Sequence, residues 1–256
     1  MSLDGKIKLK AEHLCKIYFS AKGDMDAVED ISLEVKENEF LVILGPGQCG
    51  KSVFLNMLCG LEEPTNGKIY RDGTEIHGTD DKISMVFQRM AIMPWKNSMQ
   101  NVEMGPKYHG VNKNTRRRSG KRFLEMVGLK GFEESYPRQL SGGMKQRVGI
   151  ARAYNADAEI LLMDEPFGAL DAQTRYQMQD EILRIWEKDK RTVLFVTNNI
   201  EEAIYLGDRI VLLSKRPAVV KEIYDLSHLP RPRDYVDHSF MEMRKRITDA
   251  MDLGLE

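Results

Sequence analysis

Phe40-Leu41-Val42-Ile43-Leu44 runs without a break into Gly45-Pro46-Gly47-Gln48-Cys49-Gly50-Lys51-Ser52. The first run is apolar throughout, as a strand buried on both faces must be. The second has Gly45 and Gly50 five positions apart, followed by Lys-Ser, the pattern of a phosphate loop. After it, Val53, Phe54, Met57, Leu58 and Leu61 recur at helical spacing. The order strand, glycine loop, helix points a helix N-terminus at an anion, and the absence of bulky side chains lets backbone N–H groups close around it. Such a loop, from Gly45 to Val53, cradles the phosphates of a nucleotide. Lys51 reaches the β- and γ-phosphates, and the Ser52 hydroxyl ligates Mg²⁺.

Two further elements extend this chemistry. Ile160-Leu161-Leu162-Met163 is a second buried strand and ends in Asp164-Glu165. A carboxylate there can hold Mg²⁺, and the next one can polarise an attacking water. Leu140-Ser141-Gly142-Gly143-Met144 leads into the amphipathic run Lys145-Gln146-Arg147-Val148-Gly149-Ile150-Ala151-Arg152. Ser before two glycines at a helix start forms a second anion site, or a plain helix cap.

Ile7-Lys8-Leu9-Lys10 and Ile31-Ser32-Leu33-Glu34-Val35 alternate with period two and predict early strands. Further strands are expected over 192–196 and 209–213, and helices over 172–187 and 200–206. This alternation indicates a mostly parallel sheet. Residues 90–155 carry helix-compatible charge and Met without a good buried strand, and read as a helical lobe inserted into the core. The expected fold is α/β: a phosphate-loop NTPase core with an N-terminal antiparallel β subdomain and an inserted helical subdomain. All 256 residues form one nucleotide-binding domain in this reading. Residues 1–89 and 156–215 make the β subdomain and core, 90–155 the helical subdomain and 216–256 a tail with a strand and a helix.

Composition narrows the function classes. The 38 Lys and Arg against 39 Asp and Glu leave no basic excess, which argues against a general nucleic-acid binder. Arg116-Arg117-Arg118 with Lys121-Arg122 reads as a solvated helix face. Cys15, Cys49 and Cys59 are an odd number without metal-ligand spacing, which suits a reducing compartment. Cys49, beside Lys51 and a helix N-terminus, is expected to be a reactive thiol. No apolar run approaches the roughly 20 residues that cross a bilayer. Residues 1–10 lack the apolar core of a signal peptide. Any work at a membrane therefore needs spans from another chain.

Taken together, these motifs resemble the nucleotide-binding subunit of ABC transporters over essentially the whole chain, with Leu140-Ser141-Gly142-Gly143-Met144 similar to that family's signature. The resemblance implies ATP and Mg²⁺ as cofactors, with Glu165, Gln88, Lys51 and Asn198 as the catalytic set. Ser52, Gln88 and Asp164 are the implied metal contacts. Tyr18 falls where the family stacks an aromatic on adenine, or is a plain strand aromatic. Gln88, after Met85-Val86-Phe87, matches the glutamine that contacts Mg²⁺ and water and senses the membrane partner. Gly168-Ala169-Leu170-Asp171 matches the loop that crosses the dimer interface. The family forms a head-to-tail homodimer in which Ser141, Gly142 and Gly143 of one subunit close over ATP on the other, a symmetric arrangement.

A narrower resemblance is to the nitrate, sulfonate and taurine importer branch. It rests on Met93-Pro94-Trp95 before Asn101-Val102, on Tyr136-Pro137-Arg138-Gln139-Leu140, on the run from Met163 to Asp171, and on Leu229-Pro230-Arg231-Pro232-Arg233. The last is either a mark of the branch or an extended linker. The branch implies an integral-membrane permease, an extracytoplasmic solute-binding protein and a place on the cytoplasmic face of the membrane. Trp95 then faces the permease, or packs inside the helical lobe.

Three departures stand out. Gln48 stands where the family has Gly, with Gly47 one position earlier. Val53 replaces a Thr. Thr197-Asn198-Asn199 stands where the family has His-Asp, and that His contacts the γ-phosphate. The expected function is ATP-driven import of a small solute. The rivals are a regulatory ABC subunit with weak hydrolysis and a soluble ABC ATPase outside transport.

Overall fold

The computed structural model describes residues 5–21, 23–88, 91–168 and 170–252. Ala169 of the Gly-Ala-Leu-Asp run, and residues 89 and 90 at the expected edge of the helical lobe, lie outside the described residues.

The first half of the chain carries β1 (Ile7–Tyr18), β2 (Met25–Lys36), β3 (Phe40–Leu44), α1 (Lys51–Leu58), β4 (Asn66–Arg71), β5 (Thr74–Glu75) and β6 (Ile83–Val86). Helices α2 (Ser98–Val102), α3 (Met104–Tyr108), α4 (Lys113–Met126) and α5 (Gly142–Asn155) follow. The rest comprises β7 (Ile160–Asp164), α6 (Ala172–Lys188), β8 (Thr192–Thr197), α7 (Ile200–Leu206), β9 (Arg209–Leu213), β10 (Val220–Asp225) and α8 (His238–Asp252). The chain divides into two compact units, Met1–Asp80 with Arg191–Glu256, and Asp81–Lys190.

In the first unit, an antiparallel sheet has the order β2-β1-β4-β5. From Ile31 onward only one face of β2 is buried, and its apolar residues alternate accordingly (Ile31, Leu33 and Val35 in, their neighbours out). Asp72 and Gly73 join β4 to β5 with φ of +48° and +79°, the mirror-image turn that Asp-Gly favours because it matches strand twist.

Beside this, β3 lies parallel to both β8 and β9, and β10 runs antiparallel to β9. Every residue of β3 and β8 is buried, which is why both read as continuous apolar runs. Parallel register pairs Leu44 with Thr197. The glycine loop after β3 and the Asn198 turn after β8 therefore leave the sheet at one edge, the carboxyl end where ligands bind in open α/β sheets.

Helix α1 stops at Leu58, short of the expected Leu61. Gly60 takes φ +71°, its N–H bonds Met57 O at 3.0 Å, and Leu61 N–H bonds Asn56 O at 3.0 Å. That pair of bonds is the Schellman ending, and Leu61 lies beyond it, exposed.

In the second unit, β6 runs parallel to β7, with Val86 opposite Met163. Gln88 and the Asp164-Glu165 pair consequently emerge from the same edge. Helices α2, α4 and α5 pack on one another, and Val102, Leu124, Val148 and Ile150 on them are fully buried.

Candidate nucleotide site

The glycine loop begins directly at the end of β3. Gly50 takes φ +117°, and a Cβ there would come within 2.5 Å of Ala27 O. Only glycine fits. The other left-handed residue of the loop is Gln48, at φ +60°. Gly47 has no such φ, and a Cβ on it would meet nothing within 4 Å. The left-handed conformation thus falls on the side-chain-bearing residue, and the swap of Gly and Gln does not move it one position earlier.

Gly50 is the N-cap of α1, and no side chain caps that end among the described residues. A helix N-terminus of this kind points its first-turn N–H groups towards an anion. Lys51 is 4% exposed. Its ammonium folds back onto the loop, donating to Gly45 O at 2.9 Å and Pro46 O at 2.8 Å. Pro46, Ser52 and Val53 are half-buried. This loop fits an oligophosphate: a helix N-terminus at its end, an ammonium held against it, and open space around Gly47. Cys49 corrects the expectation of a reactive thiol. It is 2% exposed, and its Sγ lies 3.0 Å from where a Cβ on Gly45 would sit. Burial removes the access that reactivity needs.

Tyr18 ends β1. Its hydroxyl donates to Glu62 Oε1, Lys16 Nζ lies 5.3 Å from its ring centroid, and partial burial with the Glu62 bond pushes its pKa up to about 12. The phenol is therefore neutral and anchored. Glu62 had no signature in the sequence.

After β8, Thr197 Oγ1 donates to Glu202 Oε2 at 2.6 Å and accepts from Asn199 N–H at 3.0 Å. Asn199 in turn caps α7, its Oδ1 accepting from Glu202 N–H at 3.1 Å. These bonds consume the neighbours of Asn198 and leave Asn198 exposed at the apex.

In the second unit, Asp164 is buried at the end of β7. Glu165 holds φ +41°, and its Oε2 accepts from Gln88 Nε2 at 3.1 Å. Two residues named from sequence, 77 positions apart, are thus in direct contact. Mg²⁺ characteristically takes one or two carboxylates and keeps its remaining positions for water and phosphate. Each unit by itself offers a donor of that kind: the Ser52 hydroxyl in the first, the buried strand-end carboxylate of Asp164 in the second.

Ser141 is the N-cap of α5 and accepts from Met144 N–H at 3.3 Å; Gly142 is exposed. A Cβ on Gly143 would approach Leu170 Cδ2 to 3.3 Å, so the signature start packs against the Gly-Ala-Leu-Asp loop. Asp171 caps α6 through Thr174 N–H at 3.0 Å and Thr174 Oγ1 at 2.7 Å, and those bonds hold its carboxyl below the usual range.

Trp95 is 69% exposed. The loop presenting it is latched by the buried Asn101. Its Oδ1 accepts from Met93 N–H at 2.7 Å, and its Nδ2 donates to the carbonyls of Met93, Lys96 and Asn97. Asn97 adds a reciprocal cap with Gln100 at the start of α2. The packing of Trp95 inside the lobe is excluded by this geometry.

A family model described as ABC transporter matches residues 28–168. The chain is 49% identical over 246 residues to an uncharacterised ABC transporter ATP-binding protein of Methanocaldococcus jannaschii, covering 96% of this chain and 92% of that one. It is 40% identical over 240 residues to the aliphatic sulfonates import ATP-binding protein SsuB of Bacillus cereus, covering 93% of each. Among solved structures, it is similar to a dimeric ATP-binding cassette in a post-hydrolysis state bound to ADP and Pi. The TM-score is 0.76 and the identity 32%, over 85% of this chain and 98% of that one.

Proposed function

The chain belongs to the ABC transporter ATP-binding family and is an ATPase of that type, and on this footing we propose that it energises import of a small sulfonate-, taurine- or nitrate-like solute. The import itself runs through a separate membrane permease, supplied by an extracytoplasmic solute-binding protein, with this subunit on the cytoplasmic face. The observation that carries the reading is the Gln88–Glu165 hydrogen bond. It ties the residue that would sense the permease to the residue that would activate water.

In this reading, backbone N–H groups of the glycine loop and the Lys51 ammonium bind the β- and γ-phosphates. Lys51 exchanges its bonds to Gly45 O and Pro46 O for phosphate oxygens. The Tyr18 ring stacks on adenine while Glu62 holds its hydroxyl. Ser52, Asp164 and Gln88 hold Mg²⁺, which when bound neutralises charge on the phosphate oxygens. Glu165 accepts a proton from the attacking water. Asn198 donates its amide to the γ-phosphate. Ser141, Gly142 and Gly143, with Asp171 behind them, act on the nucleotide of a second copy in a symmetric dimer. Closure follows because ATP makes better contacts in the closed pair than in the open one. Support for the sulfonate class comes from the 40% identity to the sulfonate import protein, and support for a permease-facing surface from the exposed Trp95.

The test is ATPase of the subunit reconstituted with its permease and binding protein, given taurine, an alkanesulfonate or nitrate. One of the three should stimulate turnover. Trp95→Ala should abolish that stimulation while leaving the isolated subunit's ATPase within about twofold, since exposed substitutions shift stability by only about 0.5 kcal/mol. Absence of stimulation by all three solutes contradicts the solute class, and unchanged stimulation in Trp95→Ala removes it from the permease surface.

A further inference from the structure

The stretch Leu229-Pro230-Arg231-Pro232-Arg233 and the residues after it grip α7, the helix that follows Asn198. Arg233 is 6% exposed. Its Nη1 donates to the carbonyls of Ile204 and Gly207, the latter at 2.7 Å, and its Nη2 donates to Leu226 O at 2.9 Å. Arg231 donates to Leu206 O and pairs with Asp208 at 2.9 Å. Two guanidiniums thus satisfy the orphan carbonyls at the negative end of α7. Burial and the neighbouring Arg231 pull the Arg233 pKa down to about 10, which leaves it charged at neutral pH.

Two more contacts act along the helix. Tyr235 stacks on Tyr205 with ring centroids 5.0 Å apart and planes 4° from parallel, and Phe240 backs Tyr235 at 5.1 Å. Arg244 Nη2 lies 3.3 Å from Glu201 Oε1 in the first turn of α7. That first turn is wired to the Asn198 apex through the bonds among Thr197, Asn199 and Glu202. A displacement of α7 therefore displaces the apex.

We propose that residues 229–246 are a clamp that positions Asn198 for hydrolysis, with Arg231, Arg233, Tyr235 and Arg244 as positioning residues. The proposal rests on the reading that Asn198 meets the γ-phosphate. It gives the tail a task that an extended linker could not perform, and makes the tail a handle through which turnover is set.

The experiment measures kcat and KM for ATP in the full chain carrying Tyr235→Ala, Arg244→Ala, Tyr235→Phe, Asn198→Ala, or Asn198→Ala together with Tyr235→Ala. Tyr235 is half-buried and Arg244 is at the surface, so these variants spare the core; thermal midpoints check the fold of each. Tyr235→Ala and Arg244→Ala should each lower kcat by about three- to tenfold with KM within twofold, and Tyr235→Phe, which keeps the stack, should restore kcat. In the Asn198→Ala background, Tyr235→Ala should lower kcat no further. An equal loss in both backgrounds, a change in KM alone, or unchanged kcat in both tail variants overturns the clamp. Unchanged kcat in Asn198→Ala alone removes the role of Asn198 and the clamp with it. Additivity with an impaired Asn198→Ala removes only the clamp.

Discussion

Gln88 Nε2 donates to Glu165 Oε2 at 3.1 Å, and Glu165 holds that position with φ at +41°. A carboxylate-bearing residue in the left-handed region stores strain that the surrounding turn must support, here through Gly168 N–H on Glu165 O at 3.1 Å. Neutral amide donation orients the carboxylate without cancelling its charge. Movement of the loop bearing Gln88 therefore reorients Glu165 directly.

Strain at Gln48 has no such evident use. An L-residue in the left-handed region costs about 1–2 kcal/mol, and glycine returns part of that gain through the greater freedom of its unfolded chain. Gln48→Gly should therefore stabilise the protein by about 0.5–1 kcal/mol, raising the thermal midpoint by about 1–4 °C. Gly50→Ala should act in the opposite direction, because Ala27 O would lie 2.5 Å from the new Cβ. A lower midpoint in Gln48→Gly would show that the side chain contributes more than the strain costs.

The elements that carry the candidate site residues were legible because they are buried on both faces or carry glycine. Strands β3 and β9 and helix α7 fall where the apolar runs and periodicity place them. Strands β4, β5 and β6 were not foreseen. Asn66–Arg71 buries only Ile69 fully, and Thr74–Glu75 is a single pair of residues, so hydrophobic pattern carries little signal there. The Asp72-Gly73 pair was the available cue. Direct contact between Gln88 and Glu165 follows from the parallel pairing of β6 with β7, which no local pattern encodes. The sequence shows Cys49 beside a cation but not its burial, because proximity along the chain says nothing of access. The roles of Glu62 and Arg233 arise from long-range hydrogen bonds, and that of Asn101 from local bonds within the loop it closes, which carry no hydrophobic pattern.

Asp72 predicts an acid dependence of stability. Its carboxylate meets Lys6 Nζ at 2.6 Å and Lys8 Nζ at 2.8 Å, and these bonds, Lys6 first, hold its pKa down at about 2. The unfolded value is about 3.9, so the folded pKa is depressed. The stabilisation is then full above pH about 4 and is lost as pH falls through about 2. Asp72→Asn should cost about 1 kcal/mol in urea unfolding at pH 7, a figure that discounts the exposed Lys6. That difference should persist at pH 5 and shrink from pH 4 towards pH 2. A difference independent of pH would remove the ion pairs as its cause.

Asn198→His should raise turnover. Imidazole offers a ring N–H with longer reach and can carry positive charge, whereas the Asn amide is neutral and short. A hydrogen bond to a charged group is worth roughly 1.5–3 kcal/mol. Recovering most of it in the transition state alone would raise kcat about tenfold to a hundredfold. ATP affinity should change less, because Lys51 and the loop hold the ground-state phosphates. Equal or lower kcat, measured with the permease present, would show that Asn198 already serves fully.

The most direct measurement is phosphate release by Glu165→Gln. Glutamine keeps the shape of the side chain and can still bond Gln88, but it cannot accept the proton of the attacking water. ATP binding should persist, a dimer should accumulate with ATP on size-exclusion chromatography, and phosphate release should fall by at least about 100-fold, the scale of a lost general base. Phosphate release within twofold of the unaltered protein would contradict the assignment of Glu165 as the residue that activates water.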